Sequence, residues 1–335
     1  MNIIIPMAGM GKRMRPHTLT TPKPLIPIAG KPMVHRIVAD IASTTDQKIE
    51  EIAFIVSRVF GKEAEDNLVN VAAQFGAKGR IFYQDTPLGT AHAILCAQEC
   101  LKGSVFIAFA DTLFDATFSI DANKDAVIWT QKVADPSAFG VVKMNADGLI
   151  TSFVEKPKEF VSDLAIIGVY YFKDGENLKN EMQYLIDNDI KHSGEYQLTD
   201  AMENMMKKGV QFYSDQVKEW LDCGNKDATV YTLERILEIK KNTETLQDAT
   251  AVIENSSIIE PCFIGKNVVI KNSVVGPHVS LEEGCHIENS IISKSIIGNA
   301  SIVKNSIITN TLFGNSVNCQ SKAEELSLGD YSFKN

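Results

Sequence analysis

Cysteine is scarce in this 335-residue chain: six residues, at 96, 100, 223, 262, 285 and 319, with no C-x-x-C pair among them. That density and spacing exclude a disulfide-stapled scaffold and a cysteine zinc site. Cys96 and Cys100 stand one helical turn apart, as small buried thiols do. Positive charge is also in short supply. The formal net charge of −9 argues against a general nucleic-acid binder, because phosphate-backbone affinity needs a basic face. No stretch approaches the ~18 apolar residues of a membrane span. Met1 and Asn2 pass directly into "IIIPMAG" without the basic n-region of a signal peptide. A cytoplasmic protein is expected, with no membrane and no nucleic-acid partner. The six histidines do not cluster, so none stands out as part of a metal or nucleophile site.

What is present is an ordinary globular balance, 44% hydrophobic and 22% charged, in a chain long enough for two domains. Over residues 1–225 short apolar runs alternate with longer amphipathic ones. "NIIIPM", "EIAFIVS", "RIFYQ" and "SVFIAFAD" read as strands, separated by helical patterns over 32–45, 61–76 and 88–102. This alternation predicts parallel βαβ units with functional loops at the carboxyl ends of the strands. "DAVIWTQKV", "FGVVKMN", "ITSFVEKP", "AIIGVYYF" and "VQFYSDQ" read as further strands, with helices around 174–189 and 197–208.

Residues 226–249 read as a connecting helix, its pattern running over 226–245, after which the composition changes. From about 250 to 319 an Asn-Ser dipeptide recurs at 255, 272, 289 and 305, at intervals of 17, 17 and 16, each time followed by β-branched residues. A period near three six-residue edges per turn predicts a parallel β-helix of about four coils, with the glycines of the "IG", "VG", "IG" and "FG" pairs at some corners. Residues 320–335 are expected to be a cap or tail.

The loop after the first strand, "PMAGMGKRMRPHTLTTPKPL", carries Lys12, Arg13, Arg15 and Lys23 and no acid. It fits neither the dinucleotide fingerprint, which has Met14 where a third small residue belongs, nor the P-loop order. A tight glycine turn followed by cations can still hold phosphate through backbone N–H groups and charge. Alone, the loop reads equally well as a solvated basic turn.

Taken with later segments, the loop resembles the sugar-1-phosphate nucleotidyltransferases. "PMAGMGKRMRP…TPKPLIPIAGKPM" is similar to that family's opening signature, and "QDTPLGTAHAI" to its base-reading segment. "FADTLF" and "WLDCGN" are similar to its two metal-binding segments, and "FGVVK", "VEKP" and "GEYQLTD" to its sugar-side segments. The resemblance implies a Rossmann-like nucleotidyltransferase domain with a mixed, mostly parallel sheet, followed by a left-handed parallel β-helix. It also implies Mg2+ held by Asp111 and Asp222, and Arg13 and Lys23 as catalytic contacts to the triphosphate. Ala8, Gly9, Gly11, Arg15, Gln84, Gly89 and Thr90 would bind the nucleotide. Gly140, Glu155, Lys156, Gly168 and Thr199 would bind the sugar phosphate.

The implied reaction joins a nucleoside triphosphate, UTP or dTTP, to a hexose 1-phosphate such as glucose 1-phosphate, giving an NDP-sugar and pyrophosphate. A homo-oligomer is expected. One carboxamide at Gln84 can read uracil or thymine with a donor and an acceptor, although guanylyl-transferring relatives have similar "LGTA" segments. The alternatives are a mannose-1-phosphate guanylyltransferase-like enzyme, a non-catalytic regulatory subunit of the same fold, and a β-helix acyltransferase using His278 or His286. The chain departs from the family pattern at Ala110 and Thr112 on either side of the first metal aspartate, at Asn225, and at the apolar pair Ile166-Ile167 before Gly168.

Overall fold

The computed structural model of the protein describes residues 1–115, 118–322, 327 and 329–333. Seven of the sixteen residues of the final segment, 320–335, therefore lie outside the described residues. The chain divides into two compact units, Met1–Ile26 with Lys31–Gly224 and Pro27–Gly30 with Asn225–Asn335.

The first unit is built on a nine-stranded sheet. Strands β1 (Asn2–Pro6), β2 (Glu51–Val56), β3 (Lys78–Tyr83) and β4 (Val105–Ala108) run parallel, in the order β4-β1-β2-β3. Every residue of β1 is buried, as a strand covered on both faces requires. Beyond β4 the sheet becomes mixed. Strand β8 (Leu164–Phe172) runs antiparallel to β4, β5 (Ala126–Lys132) and β6 (Gly140–Met144), and β7 (Ile150–Glu155) pairs with β6 at the edge. Strand β9 (Phe212–Gln216) lies parallel to β5.

Helix Met33–Ser43 buries Met33, Val34, Ile37, Val38 and Ile41, one apolar stripe at helical spacing. The helical pattern over 88–102 is realised only in part. The helix ends at Leu95, and a short 3-10 turn, Gln98–Cys100, carries the chain toward β4 while burying Cys100 and Leu101. Here burial of two apolar side chains overrides helix periodicity.

The second unit is a parallel solenoid consistent with a left-handed β-helix. One face stacks five strands, Val252–Glu254, Val269–Lys271, His286–Glu288, Ile302–Lys304 and Asn318–Gln320. The Asn-Ser repeat has a structural cause. Asn255, Asn272, Asn289 and Asn305 all turn a corner in the left-handed region, with φ between 48° and 52°, which asparagine tolerates better than most residues. The serine that follows each carries a relay from coil to coil. Ser256 Oγ accepts from Ser273 N at 3.0 Å, Ser273 Oγ from Ser290 N at 3.0 Å, and Ser290 Oγ from Ser306 N at 3.1 Å. Corner amides are thus satisfied inside the stack.

The inside is filled by Ile264, Ile270, Val275, Leu281, Ile287, Ile292 and Val303, all buried. Helix Lys226–Lys240 belongs to the same unit, and Asn225 caps it by accepting from Ala228 N at 3.0 Å. His278, raised above as a possible acyl-transfer base, has its Nε2 2.9 Å from Glu238 Oε1 on this helix.

Gly276 shows how tightly the corners are fitted. Its φ is +117°, and a Cβ there would lie 2.0 Å from the Ile259 carbonyl oxygen. Gly276→Ala is expected to destabilise the solenoid by about 3 kcal/mol, combining backbone strain with overpacking against main chain. Hydrogen exchange at the Ile259 and Gly276 amides, which bond across coils, checks this. Unchanged protection would contradict it.

Candidate active site

The loops at the carboxyl ends of β1, β3 and β4 hold Lys23, Gln84 and Asp111, where an open α/β sheet places its ligand-binding loops. Ala110 N donates to the Pro6 carbonyl at 3.3 Å, which sets the loop after β4 against the loop after β1. Gly11 has φ +56°, and a Cβ there would sit 3.0 Å from Thr18 Cγ2 and 3.1 Å from Lys23 Cβ. Glycine therefore lets the loop fold back on itself and bring Lys23 in. Lys23 is only 7% exposed, and its Nζ lies 3.7 Å from Asp111 Oδ2 and 3.4 Å from the Asp111 carbonyl. Gly9 faces open space, so ligand could approach its backbone.

Asp111 and Asp222 come from distant parts of the chain and meet through a two-stranded ribbon. Thr112–Phe114 pairs antiparallel with Trp220–Asp222, placing Asp222 opposite Thr112, the neighbour of Asp111. Trp220 Nε1 donates to Thr112 Oγ1, which gives the unusual threonine after the first aspartate a role in fastening the ribbon. Cys223 N donates to the Asp111 carbonyl at 3.2 Å. Arg13 reaches the same point: a Cβ on Gly224 would meet Asp222 Oδ2 at 2.9 Å and Arg13 Nη2 at 3.0 Å. Gly9, Gly11, Lys12, Arg13, Lys23 and Asp111 line one cavity of about 340 Å³, together with Phe109 and Gly224. Arg15 and Ala8 do not line it.

A second group forms where β6 meets β7. Gly140 and Glu155 are cross-strand partners, and a Cβ on Gly140 would lie 3.0 Å from Glu155 Oε2, 3.4 Å from Ile166 Cδ1 and 3.5 Å from Thr199 Cγ2. Thr199 Oγ1 donates to Glu155 Oε2 at 3.5 Å, and Lys156 Nζ is 3.7 Å from Glu155 Oε1. Gly168, with φ +80°, sits at an irregularity of β8 and accepts from Phe109 N at 3.0 Å. Tyr170, not singled out from the sequence, is buried within electrostatic reach of a carboxylate from each group. Burial, and then the Glu155 and Asp111 carboxylates, push its hydroxyl well above the ordinary value.

The third group is stitched to the second. Tyr196 N donates to the Leu88 carbonyl at 2.8 Å and Ala91 N to the Tyr196 carbonyl at 3.0 Å. Thr90 Oγ1 donates to Gln197 Oε1 at 3.1 Å and accepts from Leu198 N at 2.9 Å. Gln84 Nε2 donates to the Gly89 carbonyl at 3.3 Å and lies 3.2 Å from His92 Nδ1. Among the described residues Gln84 Oε1 has no hydrogen-bond partner. Burial lowers the pKa of His92, which keeps the ring neutral at neutral pH. The NH2 end of Gln84 is thus turned toward Gly89 and His92 within the protein.

A nucleotidyl transferase family model matches residues 2–238. A glucose-1-phosphate thymidylyltransferase of Streptomyces antibioticus is 29% identical, covering 99% of this chain and 98% of that protein. The low-salt glycan biosynthesis nucleotidyltransferase Agl11 of Haloferax volcanii is 30% identical, covering 96% and 94%. In fold the chain is similar to a nucleoside-diphosphate-sugar pyrophosphorylase from Vibrio cholerae, with a TM-score of 0.60, 21% identity, and coverage of 69% of this chain and 99% of that one. The chain belongs to the nucleotidyl transferase family. Within it, the protein is an enzyme of the sugar-1-phosphate nucleotidyltransferase class.

Proposed function

We propose that the protein joins UTP or dTTP to a hexose 1-phosphate such as glucose 1-phosphate, releasing pyrophosphate. The observation that carries this reading is the meeting of Lys23, Arg13, Asp111 and Asp222 beside an open glycine backbone at the carboxyl edge of the sheet. Two polyanions must be brought together there. An oxygen of the sugar phosphate attacks the α-phosphorus, the bond to the bridging β-phosphate oxygen breaks, and pyrophosphate leaves with the bond electrons. The attacking oxygen is already ionised at neutral pH, so no general base is needed.

The protein's part is positioning and charge compensation. Lys23 and Arg13 face the triphosphate, with backbone N–H groups from the Gly9–Gly11 turn. Glu155 and Thr199 accept from and donate to sugar hydroxyls, and Lys156 holds the sugar phosphate. Gln84 faces the base.

Among the described residues no group of three or more His, Cys, Asp or Glu could hold a metal. Asp111 and Asp222 alone offer hard oxygen donors and leave the other positions to water and phosphate, a donor set that fits magnesium better than zinc. When bound, Mg2+ would supply charge neutralisation at the phosphates. The test is pyrophosphate release across a grid of nucleoside triphosphates and sugar 1-phosphates, with Asp111→Asn as control. Release is expected for a uracil or thymine nucleotide with a hexose 1-phosphate, and falls in the control. A blank grid from folded protein would sink the proposal.

A further inference from the structure

We infer that His92 is a positioning residue that fixes which pole of the Gln84 carboxamide meets the base, and so selects bases carrying a ring N–H. The inference rests on Gln84 facing the base and deepens that reading.

The argument begins with Gly89. A carbonyl only accepts, so the Gln84 atom 3.3 Å from it must be the NH2 group and not the oxygen. That assignment puts the same nitrogen 3.2 Å from His92 Nδ1. Nδ1 must then accept the second amide hydrogen, which leaves the ring proton of a neutral His92 on Nε2. Both donors of Gln84 are used, and only Oε1 can meet a ligand.

An acceptor at that point favours uracil, thymine and guanine, whose rings present N–H there. It opposes cytosine and adenine, whose ring nitrogens at the corresponding edge are themselves acceptors. Neither sequence spacing nor the Gln84 side chain alone dictates this. It depends on Gly89 holding φ +117°, so that the carbonyl of the loop and the first turn of helix Thr90–Leu95 converge on one amide.

Removing the acceptor frees one amide hydrogen, and the carboxamide can then serve a cytosine edge. The experiment compares kcat/KM for UTP and CTP with one sugar 1-phosphate in wild type, His92→Leu, His92→Asn and Gln84→Ala. The expected result is a preference for UTP that falls about tenfold in His92→Leu, the value of one hydrogen bond, chiefly through a lower KM for CTP. Asparagine, whose Oδ1 can stand where Nδ1 was, retains the preference. If leucine does not yield folded protein, His92→Phe replaces it.

If Gln84→Ala loses the preference but His92→Leu keeps it, the inference is overturned and the base-reading role of Gln84 stands. If asparagine fails as leucine does, the acceptor is not the cause and the inference is likewise overturned. Preference retained in Gln84→Ala overturns both.

Discussion

Lys23→Met is expected to lower kcat/KM for the nucleoside triphosphate by about a thousandfold, the upper end of the range for removing one preorganised charge-stabilising group. The magnitude follows from how the side chain is held. Pro22 and Pro24 flank it in a rigid turn, Gly11 leaves room for its Cβ, and the residue is 7% exposed. Little reorganisation is then needed when negative charge develops on the leaving phosphates. Methionine keeps most of the stem and its packing, so the fold should survive. Asp111 loses a cation at 3.7 Å, but its side chain is 58% exposed, and water can solvate the abandoned carboxylate. The loss should therefore appear in turnover and triphosphate affinity, with a nearly unchanged melting temperature. Lys23→Arg should not restore activity, because the planar fork does not fit a slot shaped for a point charge. A variant within tenfold of wild type would remove Lys23 from the proposed machinery.

Lys23, Asp111 and Asp222 could be singled out from sequence because each sits in a segment whose order along the chain carries information. The solenoid was legible for a related reason. Its period repeats a corner, Asn in a left-handed turn followed by a serine relay, and the same local problem is solved four times. Partnerships between distant segments were not legible. Nothing in "FADTLF" or "WLDCGN" announces that Thr112–Phe114 and Trp220–Asp222 form one ribbon, because strand pairing across such a separation is decided by the whole fold. The placement of Pro27–Gly30 with the second unit is a case of the same kind. Gly30, at φ +78°, lies where a Cβ would strike the Phe263 ring, a contact spanning most of the chain. His92 did not stand out among six unclustered histidines, because its contact with Gln84 depends on the conformation of the loop between them.

Gly89→Ala should cost the protein both stability and nucleotide recognition. At φ +117° an alanine is strained whatever surrounds it, and here the new Cβ would also lie 2.4 Å from the Tyr196 carbonyl oxygen and 2.6 Å from its nitrogen. Those atoms are main chain and cannot rotate away. They are also the atoms that bond to Leu88 and Ala91, so relief of the clash must break the clasp between the two loops. Strain and overpacking together are expected to destabilise the first unit by about 3 kcal/mol, a fall of roughly 6–12 °C in melting temperature for a unit of this size. Gly209→Ala separates the two causes. Gly209 has φ +97°, but an alanine methyl there would meet nothing within 4 Å, so that variant carries backbone strain alone and should lose about 1 kcal/mol. The functional consequence follows from Gln84, whose amide needs the Gly89 carbonyl. Once that carbonyl moves, the carboxamide is free to turn, so KM for the nucleoside triphosphate should rise at least roughly tenfold below the melting transition. Equal melting shifts in the two variants would mean that the clasp yields without cost, and that the loop is looser than its two backbone bonds to Tyr196 imply.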